Sequence, residues 1–393
     1  MLRIPFAVTA ALFLVPWCMA AQEPAGRPPD SAAAPAKPEA TKPATPALDF
    51  SGIIFANYQY RTDNGARDAN KFDVERAYLT FRVPAGERTS VRITTDLYQQ
   101  TTSGSDAFYR GWAVRAKYAY LQYYYINGAD WRAYARLGLL QTIFIEHDEQ
   151  FWPRWIGNSP TEKAGYFSSA DAGISTTISL PRKLGEIYST LTNGPGYTSR
   201  EIDRFKDVAA RLTLTPWASN ADGLLKTLSL SAWAYKGALA SRFVSGGTGQ
   251  VGTVGDALQR DRWGIHLASA TRPLTFGVQY AQRIEEGEAG SNTIAAPRVL
   301  IDSTGTLASA YALLRPLALI GSSSSSPLSL LGRWDRVNTN TDNDDAYDFF
   351  VAGIVWDFSS KASFALDYQE TMAVSGNPIA PQKTWFAHFV ARF

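Results

Sequence analysis

The sequence predicts an all-β fold: a closed, antiparallel transmembrane β-barrel of about 16 strands. Three observations carry that expectation. From Asp49 to Phe393 the chain alternates apolar and mixed polar residues in short runs separated by turn residues, the side-chain period of strands with two unlike faces. No apolar run in that span approaches the ~20 residues that a membrane-crossing helix needs. The chain closes on Trp385, Ala387, Phe389, Ala391 and Phe393 at every second position, which suits a last strand whose outer face meets lipid and whose final ring rests at the interface.

Residues 1–20 have the pattern of a secretory signal peptide. Arg3 leads an apolar run from Ile4 to Trp17, and Cys18-Met19-Ala20 precedes Ala21 as a cleavage site. Pro5 and Pro16 and the shortness of the run disfavour a membrane anchor, and bulky Trp17 disfavours lipid attachment at Cys18. Residues 21–48 are dominated by Ala and Pro, with scattered Lys37, Glu39 and Lys42. They show no apolar periodicity and are expected to form a short disordered periplasmic linker. Residues 49–393 form the expected barrel domain.

The strands follow in order. Ser51–Arg61 places Ile54, Ala56, Tyr58 and Tyr60 on one face. Glu75–Pro84 sets Ala77, Leu79, Phe81 and Val83 against Arg76, Tyr78, Thr80 and Arg82. Ser90–Gln99 sets Val91, Ile93, Thr95 and Leu97 against Arg92, Thr94, Asp96 and Tyr98. Ala116–Ile126 has Ala119, Leu121, Tyr123 and Tyr125 as its apolar set, and Arg132–Ile143 sets Ala135, Leu137 and Leu139 against Tyr134 and Arg136. After an irregular stretch from Glu146 to Phe167, runs resume at 169–180, 185–193, 207–217, 226–236, 260–270, 274–283, 307–317, 328–337, 348–358, 361–371 and 383–393. Sixteen strands over this span leave roughly 22 residues for each strand and its connection, room for tight turns alternating with long loops. Tight connections at 84–88, 127–130 and 359–360 do alternate with long polar ones at 62–71, 100–115, 146–167, 238–259 and 338–347.

A soluble sandwich would turn the apolar faces inward. These faces are too many for one sandwich core, and aromatic residues gather near strand ends, as at membrane interfaces. Lipid outside and water inside is the expected arrangement, with the barrel closed so that no backbone group is left unpaired in lipid. Sixteen strands enclose a lumen too wide to fill with side chains. The expected pore-lining residues are Arg76, Arg82, Arg92, Asp96, Arg136, Arg211, Arg333 and Asp335, with Asp171 and Asp367 on the same face. Their acids and bases share one face and would largely cancel.

The irregular stretch carries Glu146, His147, Asp148, Glu149, Arg154 and Lys163, with Trp152 and Trp155 between them. A loop of both signs beside inward arginines could narrow the lumen and set a transverse field; an external loop of mixed charge is the plainer reading. Glu146, Asp148, Glu149, Arg154 and Lys163 are the constriction candidates. Trp385, Phe389 and Phe393 are the membrane-interface and assembly candidates.

Composition excludes several classes. Cys18 is the only cysteine, and cleavage would remove it, so the mature chain has no disulfide, thiolate nucleophile or cysteine metal site. His147, His266 and His388 are the only histidines, and no two lie at metal-ligand spacing. The formal charge of +2 falls to +1 with Arg3 removed, so no nucleic acid partner is expected. Gly247–Gly252 matches a dinucleotide fingerprint by letters but lacks a strand–helix context. No serine–histidine–acid arrangement appears. Neither a cofactor nor a metal is expected.

Several segments resemble the phosphate-selective porin O/P family: Phe72-Asp73-Val74-Glu75-Arg76-Ala77-Tyr78-Leu79, Arg136-Leu137-Gly138-Leu139-Leu140-Gln141-Thr142, Ser169-Ala170-Asp171-Ala172-Gly173-Ile174, Thr192-Asn193-Gly194-Pro195-Gly196 and Gly332-Arg333-Trp334-Asp335. The resemblance covers most of 51–393. It implies a 16-stranded outer-membrane channel, commonly trimeric, with a loop folded into the lumen. The near-neutral mature chain departs from the basic lumen of phosphate-selective members, so the resemblance speaks for a porin more than for phosphate.

The expected function is an outer-membrane porin of a Gram-negative envelope: passive diffusion of small polar solutes and ions, anions among them, with the sign of any preference left open, and no enzymatic step. Its partners would be outer-membrane lipid, the solutes, two further copies in a homotrimer, and the outer-membrane assembly machinery through the C-terminal strand. The alternative is a substrate-specific channel for phosphate or for a sugar, the latter because Tyr118, Tyr120 and Tyr124 face inward by alternation. A membrane-barrel enzyme and a secreted soluble β-protein are the remaining readings.

Overall fold

The structure, a computed structural model, describes residues 48–63, 69–99, 111–201, 203–240, 257–289, 299–319, 326–375 and 379–393. The expected signal peptide, nearly all of the Ala/Pro linker and the Gly247–Gly252 segment lie outside them.

Sixteen strands form one closed barrel. They are β1 Asp49–Arg61, β2 Asn70–Pro84, β3 Thr89–Gln99, β4 Trp112–Asn127, β5 Arg132–Gln141, β6 Ala170–Leu180, β7 Gly185–Thr192 and β8 Asp207–Leu214. The second half holds β9 Ser229–Ala240, β10 Ala257–Ala270, β11 Leu274–Ala289, β12 Val299–Leu314, β13 Leu328–Asn338, β14 Ala346–Asp357, β15 Ala362–Ser375 and β16 Gln382–Arg392. Every neighbouring pair is antiparallel, and β1 pairs with β16 from Ile53↔Arg392 to Arg61↔Thr384. Each run read from the sequence corresponds to one strand, because a period of two leaves little freedom about which face goes where.

Burial follows the alternation. In β8, Asp207, Ala209, Arg211 and Thr213 are buried while Val208, Ala210 and Leu212 are exposed. The outer surface is a band of exposed apolar side chains, including Leu137 at 63 %, Ile265 at 49 %, Val278 at 51 % and Leu330 at 43 %. Rings pair on it near its ends: Phe50 with Phe81 at 5.1 Å, Tyr58 with Phe72 at 4.9 Å and Tyr368 with Trp385 at 5.2 Å between centroids. No helix among the described residues is long and apolar enough to cross a membrane.

Two features matter for the lumen. The β3–β4 register shifts between Thr94 and Thr95, so Arg115 and Lys117 lie on the same inner side as Tyr118 and Tyr120. A bulge of this kind adds a residue and flips the parity beyond it. The inner wall is also more apolar than a water-filled lumen requires. Leu307, Leu331, Val337, Phe349, Val351, Val355 and Val390 are all buried on it. The cause is the segment from 142 to 169, which enters the barrel and covers them.

Candidate functional site

That segment joins β5 to β6. It holds two single-turn helices, α1 Ile145–Asp148 and α2 Pro160–Lys163. Between them an apolar underside of Phe144, Phe151, Trp152, Trp155 and Ile156 packs on the wall and on Tyr166 and Phe167 in one buried cluster. Phe144 lies 5.7 Å and Phe167 4.8 Å from the Trp233 ring, and Trp152 lies 5.5 Å from Tyr311. Burying side chains of this size contributes about 1.5–3 kcal/mol each, so hydrophobic packing holds the loop inside the barrel.

Polar bonds fix its position. Arg211 donates to the Ile143 carbonyl. His147 Nε2 lies 2.9 Å from Ser231 Oγ. Tyr311 donates to Asp148 Oδ1 at 2.6 Å, and Gln279 donates to Oδ2 at 3.3 Å. Gln369 donates to the Ile156 carbonyl at 3.0 Å, and Arg333 to the Asn158 carbonyl at 2.6 Å. Arg283 donates to Ala164 O at 3.4 Å, Arg262 donates to Tyr166 O, and the Tyr166 hydroxyl reaches Ala281 O at 3.2 Å. These donors satisfy loop carbonyls that lie outside regular secondary structure. Burial pushes the Asp148 carboxyl up to about 6 against its hydrogen bonds from Tyr311 and Gln279. Burial, with Arg211 and His266 nearby, holds His147 well below the ordinary imidazole range.

The loop's polar side faces β2 to β5. Arg92 donates to Glu146 at 3.2 Å. Arg154 bridges Glu149 at 2.9 Å and Glu162 at 3.0 Å, with its side chain 7 % exposed. On the opposite wall Asp96, fully buried, takes Arg115 at 2.9 Å and has Arg76 at 3.8 Å. Tyr197, from the β7–β8 connection, donates to the same carboxylate at 3.3 Å.

The other residues singled out in the sequence sit as follows. Arg136 donates from all three nitrogens, to Gln122, Gln141 and Tyr134. Arg211 pairs with Glu186. Arg333 and Asp335 bond each other at 3.0 Å, and the guanidinium lies 4.7 Å above the Trp152 ring. Arg82 stands apart, near the β2–β3 turn, 3.4 Å from Asp49 and about half exposed. Asp148 is buried against the wall, away from the polar side of the loop. Lys163 is exposed and lies 3.8 Å from the Phe349 ring centroid. Trp385, Phe389 and Phe393 are exposed on the outer surface.

Sequence reasoning passed over Arg115, Lys117, Glu162, Glu186 and Tyr197. Strict alternation from Tyr118 puts Arg115 and Lys117 outside, and only the bulge brings them in. Lys117 is 3 % exposed and lies 4.1 Å from the Tyr78 ring centroid, with no ion pair among the described residues. Glu186 and Tyr197 carry no periodic signal. The same described residues contain no group of three or more acidic, His or Cys side chains fit for a metal.

The closed barrel of sixteen antiparallel strands has counterparts among solved structures. OmpT of Vibrio cholerae, an outer-membrane expressed protein, superposes with a TM-score of 0.56 at 10 % identity over 90 % of this chain and 100 % of its own. The anion-selective porin of Comamonas acidovorans gives 0.56 at 10 % over 89 % and 100 %. This is a porin fold. OmpF of Salmonella typhi, solved in complex with daunomycin, gives 0.56 at 11 % over 88 % and 97 %. No family model matches the sequence, and no curated protein does. Within this fold the long connection at 142–169 is the element that enters the lumen.

Proposed function

We propose that the protein is an outer-membrane porin through which small polar solutes and ions diffuse passively. One observation carries the reading: the barrel is closed, with an exposed apolar band outside and charged side chains inside, the reverse of a water-soluble β-protein. The loop from 142 to 169 is read as the constriction, with Glu146, Glu149 and Arg154 on its polar side, Glu146 in contact with Arg92, and Arg76, Arg115 and Lys117 on the wall that this side faces. Asp148 and Lys163 anchor it, and Arg136, Arg211, Arg333, Asp96 and Asp335 belong to the wall around it. Arg82 is read as rim charge.

The end bearing the β2–β3 and β14–β15 turns is read as periplasmic and the other as external, as short turns and long loops divide in such barrels. Export would use residues 1–20 as a cleaved signal, with 21–48 as a periplasmic linker. A homotrimer is the proposed assembly, a state in which one structural neighbour, in-vitro folded OmpT of Vibrio cholerae, was solved. The ordered motifs around Arg76, Arg136, Asp171 and Arg333 favour the phosphate-selective O/P family. The lumen arginines are mostly paired, which favours a broad polar solute range over phosphate alone. Recognition of the C-terminal strand by the assembly machinery is proposed for Trp385, Phe389 and Phe393.

Planar-bilayer recording tests the reading. Purified protein should give stepwise conductance, and a salt gradient should give a reversal potential whose sign reports anion or cation preference. Protein that inserts and stays silent would sink it. A second reading, a channel selective for particular solutes, draws on Tyr118 and Tyr120, which are buried on the inner wall beside the loop.

A further inference from the structure

A polar cavity of about 190 Å³ lies between the first turn of the inner loop and strands β5 to β8. Its lining includes Glu146 and Gln150 from the loop and Tyr134, Arg136, Glu186 and Arg211 from the wall. Resting on the porin reading, we propose that this cavity is a binding subsite for a neutral polyhydroxylated solute of monosaccharide size.

The charges argue against an ion. Every nitrogen of the two arginines is already engaged, with one N–H left over on each Nη: Arg136 donates from Nε, Nη1 and Nη2 to Gln122, Gln141 and Tyr134. Arg211 donates likewise to Thr213, the Ile143 carbonyl and Glu186. An incoming anion would find the guanidinium charges already offset by their partners, and it would meet the carboxylates of Glu146 and Glu186. An incoming cation would meet two guanidinium groups. Glu146 meets Arg92 and Gln141 through Oε1, and Glu186 meets Arg211 through Oε1. Each carboxylate keeps a second acceptor oxygen, already neutralised in charge and suited to a hydroxyl donor. The Gln150 amide and the Tyr134 hydroxyl supply both donor and acceptor capacity. A ligand rich in hydroxyls satisfies such a lining without breaking an ion pair, and the volume, about six waters at ~30 Å³ each, suits one sugar ring.

The test is single-channel recording of the full barrel in symmetric potassium chloride, with D-glucose, inorganic phosphate or L-lysine added in turn to the periplasmic side. Glucose should reduce the current with saturating concentration dependence, beyond the effect of an equal mass of polymer too large to enter. Glu186→Gln and, as a milder change, Tyr134→Phe should each weaken that block about fivefold, the loss of one hydrogen bond. A wild-type channel that conducts but shows no specific glucose block overturns the subsite and leaves the porin reading intact. So does block by phosphate or lysine at lower concentration than glucose. A protein without conductance overturns the porin reading itself.

Discussion

Gly52 and Phe393 close the barrel as a pair: each amide donates to the other's carbonyl, at 2.9 and 3.0 Å. The Phe393 ring lies over the glycine so closely that a Cβ there would meet ring carbons at 2.2–2.7 Å. The seam between β1 and β16 therefore ends in a ring seated where a side chain is missing, beside Phe50 at 6.0 Å.

Gly52→Leu must drive that ring off the strand. The expected cost is about 1–3 kcal/mol, with Gly52→Ala smaller and Phe393→Ala similar to Gly52→Leu. The midpoint of heat-induced loss of the compact barrel on a denaturing gel measures it. An unchanged midpoint in Gly52→Leu would show that the ring contributes nothing to closure.

Arg154 holds Glu149 and Glu162 together at the tip of the inner loop. Arg154→Met leaves both carboxylates without their cation, at a cost on the order of 3 kcal/mol. Noisier open-channel current and faster proteolysis within 149–162 are expected. A quiet, protease-resistant variant would remove the clamp from the account.

Tyr166 bonds the Ala281 and Gly305 carbonyls across β11 and β12. Tyr166→Phe keeps the ring packing and loses the hydroxyl, about 1 kcal/mol. Hydrogen exchange at 164–167 should quicken about fivefold while the strands stay protected.

Loop docking should respond to pH through two groups of opposite sign. Burial lifts Asp148 from 3.8 to about 6, so its contribution is full below pH 3.8 and is lost as pH rises through 6. His147 is depressed from 6.5, so its contribution is full above 6.5 and is lost as pH falls toward its folded value. Tyr311, Gln279 and His266 face the acid; Ser231 and His266 face the imidazole, with Arg211 nearby. In Asp148→Asn docking should weaken steadily on acidification. In His147→Gln it should strengthen between pH 6 and 4. Exchange rates at 144–152 across that range measure both, and parallel profiles for the two variants would refute the assignment.

Lys117 is the buried cation without an ion pair among the described residues. In Lys117→Gln the reversal potential under a salt gradient should move toward cation preference. About 1 kcal/mol for a unit charge at 4 Å in water corresponds to about a fivefold change in permeability ratio.

The barrel was legible because alternation is a strong constraint: each strand from Asp49 to Arg392 showed its two faces in residue order. The inside of the barrel was less so. Leu307, Val337 and Val351 alternate like any strand residues, and nothing in them says that a loop segment rather than water covers them. Phe144, Trp152 and Trp155 carry a signal that the charge pattern of the segment obscured, since an external polar loop has little use for large apolar side chains. Arg115 and Lys117 were hidden by a bulge, which follows from pairing with β3 and not from β4 alone. Glu186 meets Arg211 only through the β7–β8 register, 25 residues on, and Tyr197 meets Asp96 only through the tertiary fold, 101 residues away.

The inner loop precedes in the chain nearly all the strands that grip it. Its anchors Arg211, Ser231, Arg262, Gln279, Tyr311, Arg333 and Gln369 belong to β8 through β15. Those strands must be made and paired before the anchors stand in place. The connectivity therefore predicts late completion of loop docking: the last of its grips, from Arg333 and Gln369, is in place only when β13 and β15 have joined the wall. A barrel caught before that point should be a wider tube than the mature one.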